Sequence, residues 1–162
     1  MPDLHDAVRW DHFAQQAPAL AARILDVLTS HPHHVVATIG PDGAPRVGGT
    51  NLYVTDGELW MGMMPQARRI ADLRRDPRCA VHSAPLDEQL ERPDVRLELS
   101  AREFSTDRFT HLLHAIGHPD PEAAGVGFAL DVRRAVVVTV EGDRLVLDVW
   151  TPADGERRAL LA

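Results

Sequence analysis

Lysine is missing from this chain of 162 residues: all 17 basic residues are arginine. That excludes Schiff-base chemistry and a lysine general base. It also leaves every cationic contact to a planar guanidinium, which suits two-pronged recognition of phosphate or carboxylate. Cysteine occurs once, at Cys79, so neither an intrachain disulfide nor a cysteine-ligated metal cluster can form. Its setting in CAVHSA reads as a buried strand and predicts a packed thiol rather than a nucleophile. No apolar run approaches the roughly 20 residues that span a bilayer. The first residues, MPDLHDAVRWDHF, are polar and charged where a secretory signal is apolar. The expected location is the cytoplasm, without a membrane partner. Glycine-rich phosphate loops, HExxH and G-x-S-x-G are all absent from the sequence, and His82-Ser83 reads as strand packing rather than part of a triad.

An apolar share of 44% with 25% charged residues fits a soluble globular chain, here expected as one domain over 1–162. The net charge of −7 argues against nucleic acid as a partner. One segment runs against that acidic balance. Met64 to Arg78, MPQARRIADLRRDPR, sets Arg68, Arg69, Arg74, Arg75 and Arg78 against Asp72 and Asp76, so it is +3 and the remainder is −10. Pro65 suits the first turn of a helix, and Ile70 and Leu73 recur at helical spacing, predicting a helix from about 65 to 75. Arg68 and Arg69 then fall in the first turn, where cations oppose the helix dipole unless an anion is near. A phosphate there would meet free backbone N–H groups and two guanidinium forks. Arg74 and Arg75 fall at the other end, where the dipole favours cations. A solvated arginine face is the competing explanation for the whole island.

The rest of the chain reads as helices flanking many short strands. A helical region covers about residues 10–30, with Pro18 opening its second half and Leu20, Ile24, Leu25 and Leu28 on one face. Strands are predicted at 35–39, 45–54, 58–64, 79–84 and 95–104, then at 133–140 and 144–150. GPDGA (40–44) and 141–143 are turns, and TDGE (55–58) is a hairpin turn whose Asp-Gly supplies positive φ angles. A helix is expected at about 106–116, a loop at 117–127, and an acidic loop at 86–94. Short-turn hairpins in this number indicate a mainly β fold with flanking helices, an antiparallel sheet closing into a small barrel.

The order ATIGPDGAPRV, VTDGELWMGM, ARRIADLRRDPR and VRLELSARE resembles the pyridoxamine 5′-phosphate oxidase-like split-barrel family, over about Pro32 to Phe104 and onward to Trp150. The resemblance implies a six-stranded antiparallel split β-barrel over about 34–150 with peripheral helices. It implies a homodimer whose interface groove holds FMN or the deazaflavin F420, with haem a minor option because some split barrels bind it through histidine. It implies that Arg68 and Arg69 grip the cofactor phosphate, Arg69 standing where many relatives have lysine. Asp72 stands where asparagine is frequent and would put a carboxylate near the anion.

The resemblance also aligns Arg46-Val47-Gly48-Gly49-Thr50-Asn51 with the strand along the cofactor ring. Backbone groups of Val47 to Gly49 and the side chains of Thr50 and Asn51 are the implied ring partners. Glycines inside a strand mark either close approach by a ligand or a β-bulge. Met63, with Met61 and Met64, lies on the strand leading to the phosphate, where methionine packs either against a flat ring or into the core. The ending DVWTPADGERRALLA echoes the substrate-binding tail of true pyridoxamine phosphate oxidases in composition, through Trp150, Arg157 and Arg158, but not in spacing. That activity is therefore not expected.

Nine histidines raise a metal hypothesis. SHPHH carries His31, His33 and His34, and His111 and His114 share a helix face. No carboxylate joins them at ligand spacing, and no metal site is expected. The expected function is a flavin- or deazaflavin-dependent oxidoreductase acting on a small redox substrate, with no catalytic side chain named. The alternatives are a non-catalytic cofactor carrier or sensor, and a cofactor-free dimeric scaffold.

Overall fold

Pro18 divides the N-terminal helical region into α1 (Trp10–Gln16) and α2 (Pro18–Ser30), because its fixed φ opens a new first turn. The computed structural model describes residues 7–84 and 87–161. The first six residues and Leu86, on which the secretory-signal and acidic-loop readings partly fall, lie outside the described residues. Leu20, Ile24 and Leu28 recur every four residues and form the buried stripe of α2.

The strands follow as β1 (His34–Ile39), β2 (Pro45–Thr50), β3 (Tyr53–Thr55) and β4 (Glu58–Met63). Then come α3 (Arg68–Arg75), β5 (Arg78–His82), β6 (Asp94–Glu103), α4 (Thr106–Ala115), β7 (Val126–Glu141), β8 (Arg144–Thr151) and β9 (Gly155–Leu161). Asp56 and Gly57 take φ of 53° and 75°, the positive pair that a two-residue hairpin turn between β3 and β4 requires. All pairings are antiparallel, in the order β2-β1-β5-β6-β7-β4-β3, with β8 leaving β7 and carrying β9.

The long strand β7 organises the sheet. From Phe128 to Val138 it pairs with β6 on one side. On the other side Val126–Ala129 pairs with β4, and Ala135–Glu141 pairs with β8. The main core lies between the inner sheet face and α1 and α2. Phe13 and Trp150 meet there at a ring-centroid distance of 4.7 Å, both buried.

The mainly β reading with flanking helices holds, but among the described residues nine strands replace the expected six. The second strand breaks at Asn51-Leu52 into β2 and β3. β7 starts seven residues before Arg133, at Val126. Gly127 to Leu130 is buried on both faces, so it lacks the alternation that marks a half-exposed strand. β9 is nearly all exposed and pairs only with β8, so it carries no core pattern at all. α3 starts at Arg68 rather than Pro65, because Met64 to Ala67 forms a turn closed by Ala67 N–H donating to Met64 O at 2.9 Å.

Candidate functional site

Strand β2 alternates Arg46, Gly48 and Thr50 towards the interior with Val47 and Gly49 on the outer side. Helix α3 packs on the neighbouring strand β1 and reaches β2 through the side chains of Arg69 and Asp72. No side chain caps its N-terminal turn, and Arg68 and Arg69 are its first two residues. Arg69 crosses to β2 and donates from Nη2 to Gly49 O at 2.9 Å. Its Nη1 is buried with no hydrogen-bond partner among the described residues. The absence of a side chain on Gly48 permits this approach, since a Cβ there would stand 2.8 Å from Nη1. Burial lowers the Arg69 pKa below the usual arginine value, because desolvation disfavours the charged form.

Asp72, one turn further along α3, is only 2% exposed. Its Oδ2 accepts from Arg46 Nε at 2.7 Å and from Thr38 Oγ1 at 3.0 Å, and its Oδ1 accepts from Arg75 at 3.4 Å. Burial alone would raise its pKa, but the hydrogen bonds from Arg46 and Thr38 and the Arg46 charge outweigh it and hold the carboxyl below its usual range. The Asp72 carboxylate is paired within the β1–β2–α3 network, where the Arg46 guanidinium balances its charge.

Beyond Arg69 opens a cavity of about 550 Å³. One wall carries Thr50, Asn51, Met63 and Arg69. The other carries Tyr53, Trp60, Phe109 and Leu113, with His118 and Ala123 to Gly125 from the loop after α4. Tyr53 and Trp60 stack at 4.7 Å, and Phe109 meets Trp60 edge-on at 6.1 Å. This aromatic cluster forms a second core, separate from the main one. Helix α4 is fixed above it by its Ser105 cap, which accepts from Arg108 N–H. Arg108 also bridges Asp56 and Glu58, and His111 pairs with Asp56.

Of the eight sequence candidates, Thr50, Asn51, Met63 and Arg69 line this cavity, and Gly48 lies directly behind Arg69. Arg46 is turned to Asp72. Val47 is 65% exposed on the outer sheet face. Arg68 is exposed and off the cavity wall. Met61 is buried in the main core, and Met64 is exposed at the cavity mouth.

The histidines divide among separate partners. His33 donates from Nδ1 to Asn51 Oδ1 at 2.7 Å, and its ring lies over Gly49, where a Cβ would be 2.0 Å from Nε2. His34 is buried and bonded to Leu28 O. His111 and His114 reach Asp56 and Glu122 respectively, so their shared helix face does not make a ligand pair. Trp150 is sealed in the core beside Phe13, away from the cavity. Sequence reasoning missed the contribution of α4 and of His33. The signal for the first lay in Gly62, Gly125 and Gly127, glycines that no turn required.

No family model matches the sequence, and no curated protein matches it. Solved structures do. A conserved hypothetical protein of Mycobacterium tuberculosis is similar at 25% identity, over 70% of this chain and 81% of that one, with a TM-score of 0.59. A heme-binding protein of Mycobacterium smegmatis is similar at 18% identity, over 84% of this chain and 59% of that one, with a TM-score of 0.65. A Clostridium acetobutylicum protein of the pyridoxinephosphate oxidase family, related to general stress protein 26, is similar at 13% identity over 78% and 91%, with a TM-score of 0.59. At these identities the likeness is one of architecture. The antiparallel sheet with its flanking helices has the split β-barrel fold of the pyridoxamine 5′-phosphate oxidase-like proteins.

Proposed function

We propose that this protein is an oxidoreductase that binds a flavin-type cofactor, FMN or F420. The cofactor phosphate lies at the start of α3 against Arg69, with Arg68 nearby, and the ring lies along β2 and the apolar cavity wall. The observation that carries this reading is Nη1 of Arg69. A buried guanidinium nitrogen without a partner costs free energy, and an anion in the adjoining cavity offsets that cost by bonding the cavity side of the same guanidinium, Nη1 itself being closed off against Gly48. The uncapped first turn of α3 adds free backbone N–H groups on the same side. Methionine and aromatic side chains suit a flat ring system. The bound cofactor supplies hydride or electron transfer, while the chain's own residues bind it, orient it and exclude water.

Pyridoxamine phosphate oxidation is not part of this reading. Trp150 is buried in the core, and Arg157 and Arg158 lie on the exposed strand β9, where Arg158 pairs with Asp148. We further propose a cytoplasmic homodimer. Val35 and Val47 are 39% and 65% exposed on the outer sheet face, with Ala37 and Ala80 in the same cross-strand rows, a surface that a second copy would cover. Light scattering after gel filtration tests it, and a monomer at micromolar concentration overturns it.

Titration of the purified protein with FMN and with F420, read by ring fluorescence and by the thermal midpoint, tests the cofactor reading. Binding of either supports it. A cofactor bound but not reduced by nicotinamide nucleotides or an F420-reducing system indicates a carrier or sensor. Failure of both to shift the midpoint indicates a cofactor-free scaffold.

One observation favours haem as a second reading. His33 and His118 border the same cavity; Nδ1 of His33 donates to Asn51 Oδ1, which leaves its Nε2 as the free lone pair, and Nδ1 of His118 is engaged by the Asp120 backbone. A Soret shift on haem titration that disappears in His118→Ala or His33→Ala tests it.

A further inference from the structure

Three glycines are bare where one aromatic ring lies. A Cβ on Gly127 would stand 2.2 Å from Phe109 Cδ2, one on Gly125 would stand 2.9 Å from Cε1, and one on Gly62 would stand 3.0 Å from Cζ. Gly62 and Gly127 are directly paired across β4 and β7. The Phe109 ring is therefore recessed onto exposed backbone of two neighbouring strands, at a depth that no side chain on those strands would permit. The ring is also a wall of the cavity that contains Arg69, together with Gly62, Gly125 and Trp60. Trp60 and Leu112 around it are fully buried, so they leave no room for the ring to move sideways.

Resting on the cofactor reading above, we propose that Phe109 is a specificity-determining residue of this site and that the glycine platform sets the width of the cavity. With the ring recessed, the cavity accepts a planar fused-ring ligand whose phosphate end meets Arg69. With the ring lifted off the platform it enters the cavity that it lines, and the planar end is excluded while the phosphate anchor is untouched. The same principle operates at the other end of the site, where bare Gly48 lets Arg69 approach β2. Helix α4 thus meets the ring end of the site through Phe109 and Leu113, of which only Phe109 rests on the glycine platform, and its polar ties to Asp56 and Glu58 lie outside the cavity.

The test is a suppressor experiment on the full chain. FMN and F420 are titrated against wild type, Gly127→Ala and the double variant Gly127→Ala/Phe109→Ala. Near-ultraviolet circular dichroism checks that each variant is folded. We expect Gly127→Ala to bind the cofactor that wild type binds about tenfold or more weakly, the scale set by one misplaced carbon in an apolar pocket. The double variant should regain most of the loss, because the added methyl no longer lifts a ring. If Gly127→Ala does not fold, Gly62→Ala, whose Cβ meets only the Cζ end of the ring at 3.0 Å, takes its place and should show the same loss and the same rescue. Equal binding by wild type and the glycine variant overturns the inference and leaves the cofactor reading standing. A loss that removal of Phe109 does not reverse also overturns it. If wild type binds neither cofactor, the cofactor reading fails first and this inference falls with it.

Discussion

Arg69 and Gly48 occupy one space: the guanidinium fills the volume that any side chain at position 48 would take, with Nη1 at 2.8 Å from the site of its Cβ. A larger residue at 48 therefore removes Arg69 from β2 without altering its charge. We expect Gly48→Val to weaken cofactor binding as much as Arg69→Ala does. The range for losing a charge-assisted hydrogen bond is about 1.5–3 kcal/mol. Calorimetric titration of both variants checks it. Wild-type affinity in Arg69→Ala would place the phosphate elsewhere.

Acid should loosen the α3–β2 contact before the bulk of the core. The folded pKa of Asp72 lies below its unfolded value, so its stabilisation is present above about pH 4 and is lost as pH falls through the folded value. Glu58 and Asp148 have the same sign. Burial would raise Glu58, but Arg108 and Arg102 bring it down; the Arg158 hydrogen bond lowers Asp148 against its burial. Thermal midpoints measured from pH 7 to pH 3 should fall at the acid end. Asp72→Asn should start lower, by about 1.5–3 kcal/mol for its charged hydrogen bonds, and lose less on acidification. An identical acid slope in the variant would remove Asp72 from the explanation.

Cys79 should be chemically silent in the folded protein. Burial pushes its thiol up to about 12, and its side chain is sealed at 8% exposure. Thiolate is the reactive form, so the native thiol has almost none at neutral pH. Labelling by iodoacetamide should proceed at the rate of unfolding. Rapid labelling of native protein at pH 7.5 would contradict the burial.

Truncation of Phe13 tests how the N-terminal helices are held. Its ring is fully buried and packs on Trp10 at 5.3 Å and on Trp150 at 4.7 Å. Phe13→Ala should cost about 3–5 kcal/mol by transfer and cavity terms, read as a shift of the urea midpoint with unchanged slope. A shift under about 1 kcal/mol would mean that the site collapses around the smaller residue.

The sequence carried the local devices of this fold legibly. Pro18 marked the break between helices, Asp56-Gly57 marked a hairpin, and Ile70 and Leu73 marked the buried side of α3. What it hid were strands without alternation. Residues 127–130 are covered on both faces, and residues 155–161 are covered on neither, so neither shows a period of two. At the site, Arg69 was legible because a cation at a helix start needs a reason. The roles of Arg46 and Asp72 were not, because their pairing joins residues 26 apart in sequence through the β1–β2 hairpin. Phe109 reads as an ordinary helix-face residue, since its seat is made by glycines outside its own helix.

The strand that pairs with β6 from Phe128 to Val138, and with β4 and β8 at its two ends, binds the two halves of the sheet into one cooperative unit. Peeling either half away breaks hydrogen bonds to the same backbone. Amide protons along Val126–Ala129 and along Ala135–Glu141 should then exchange with solvent through a single opening, with similar free energies. The cavity wall of β4 inherits that protection, so Trp60, Gly62 and Met63 are held as firmly as the strand that pairs with them.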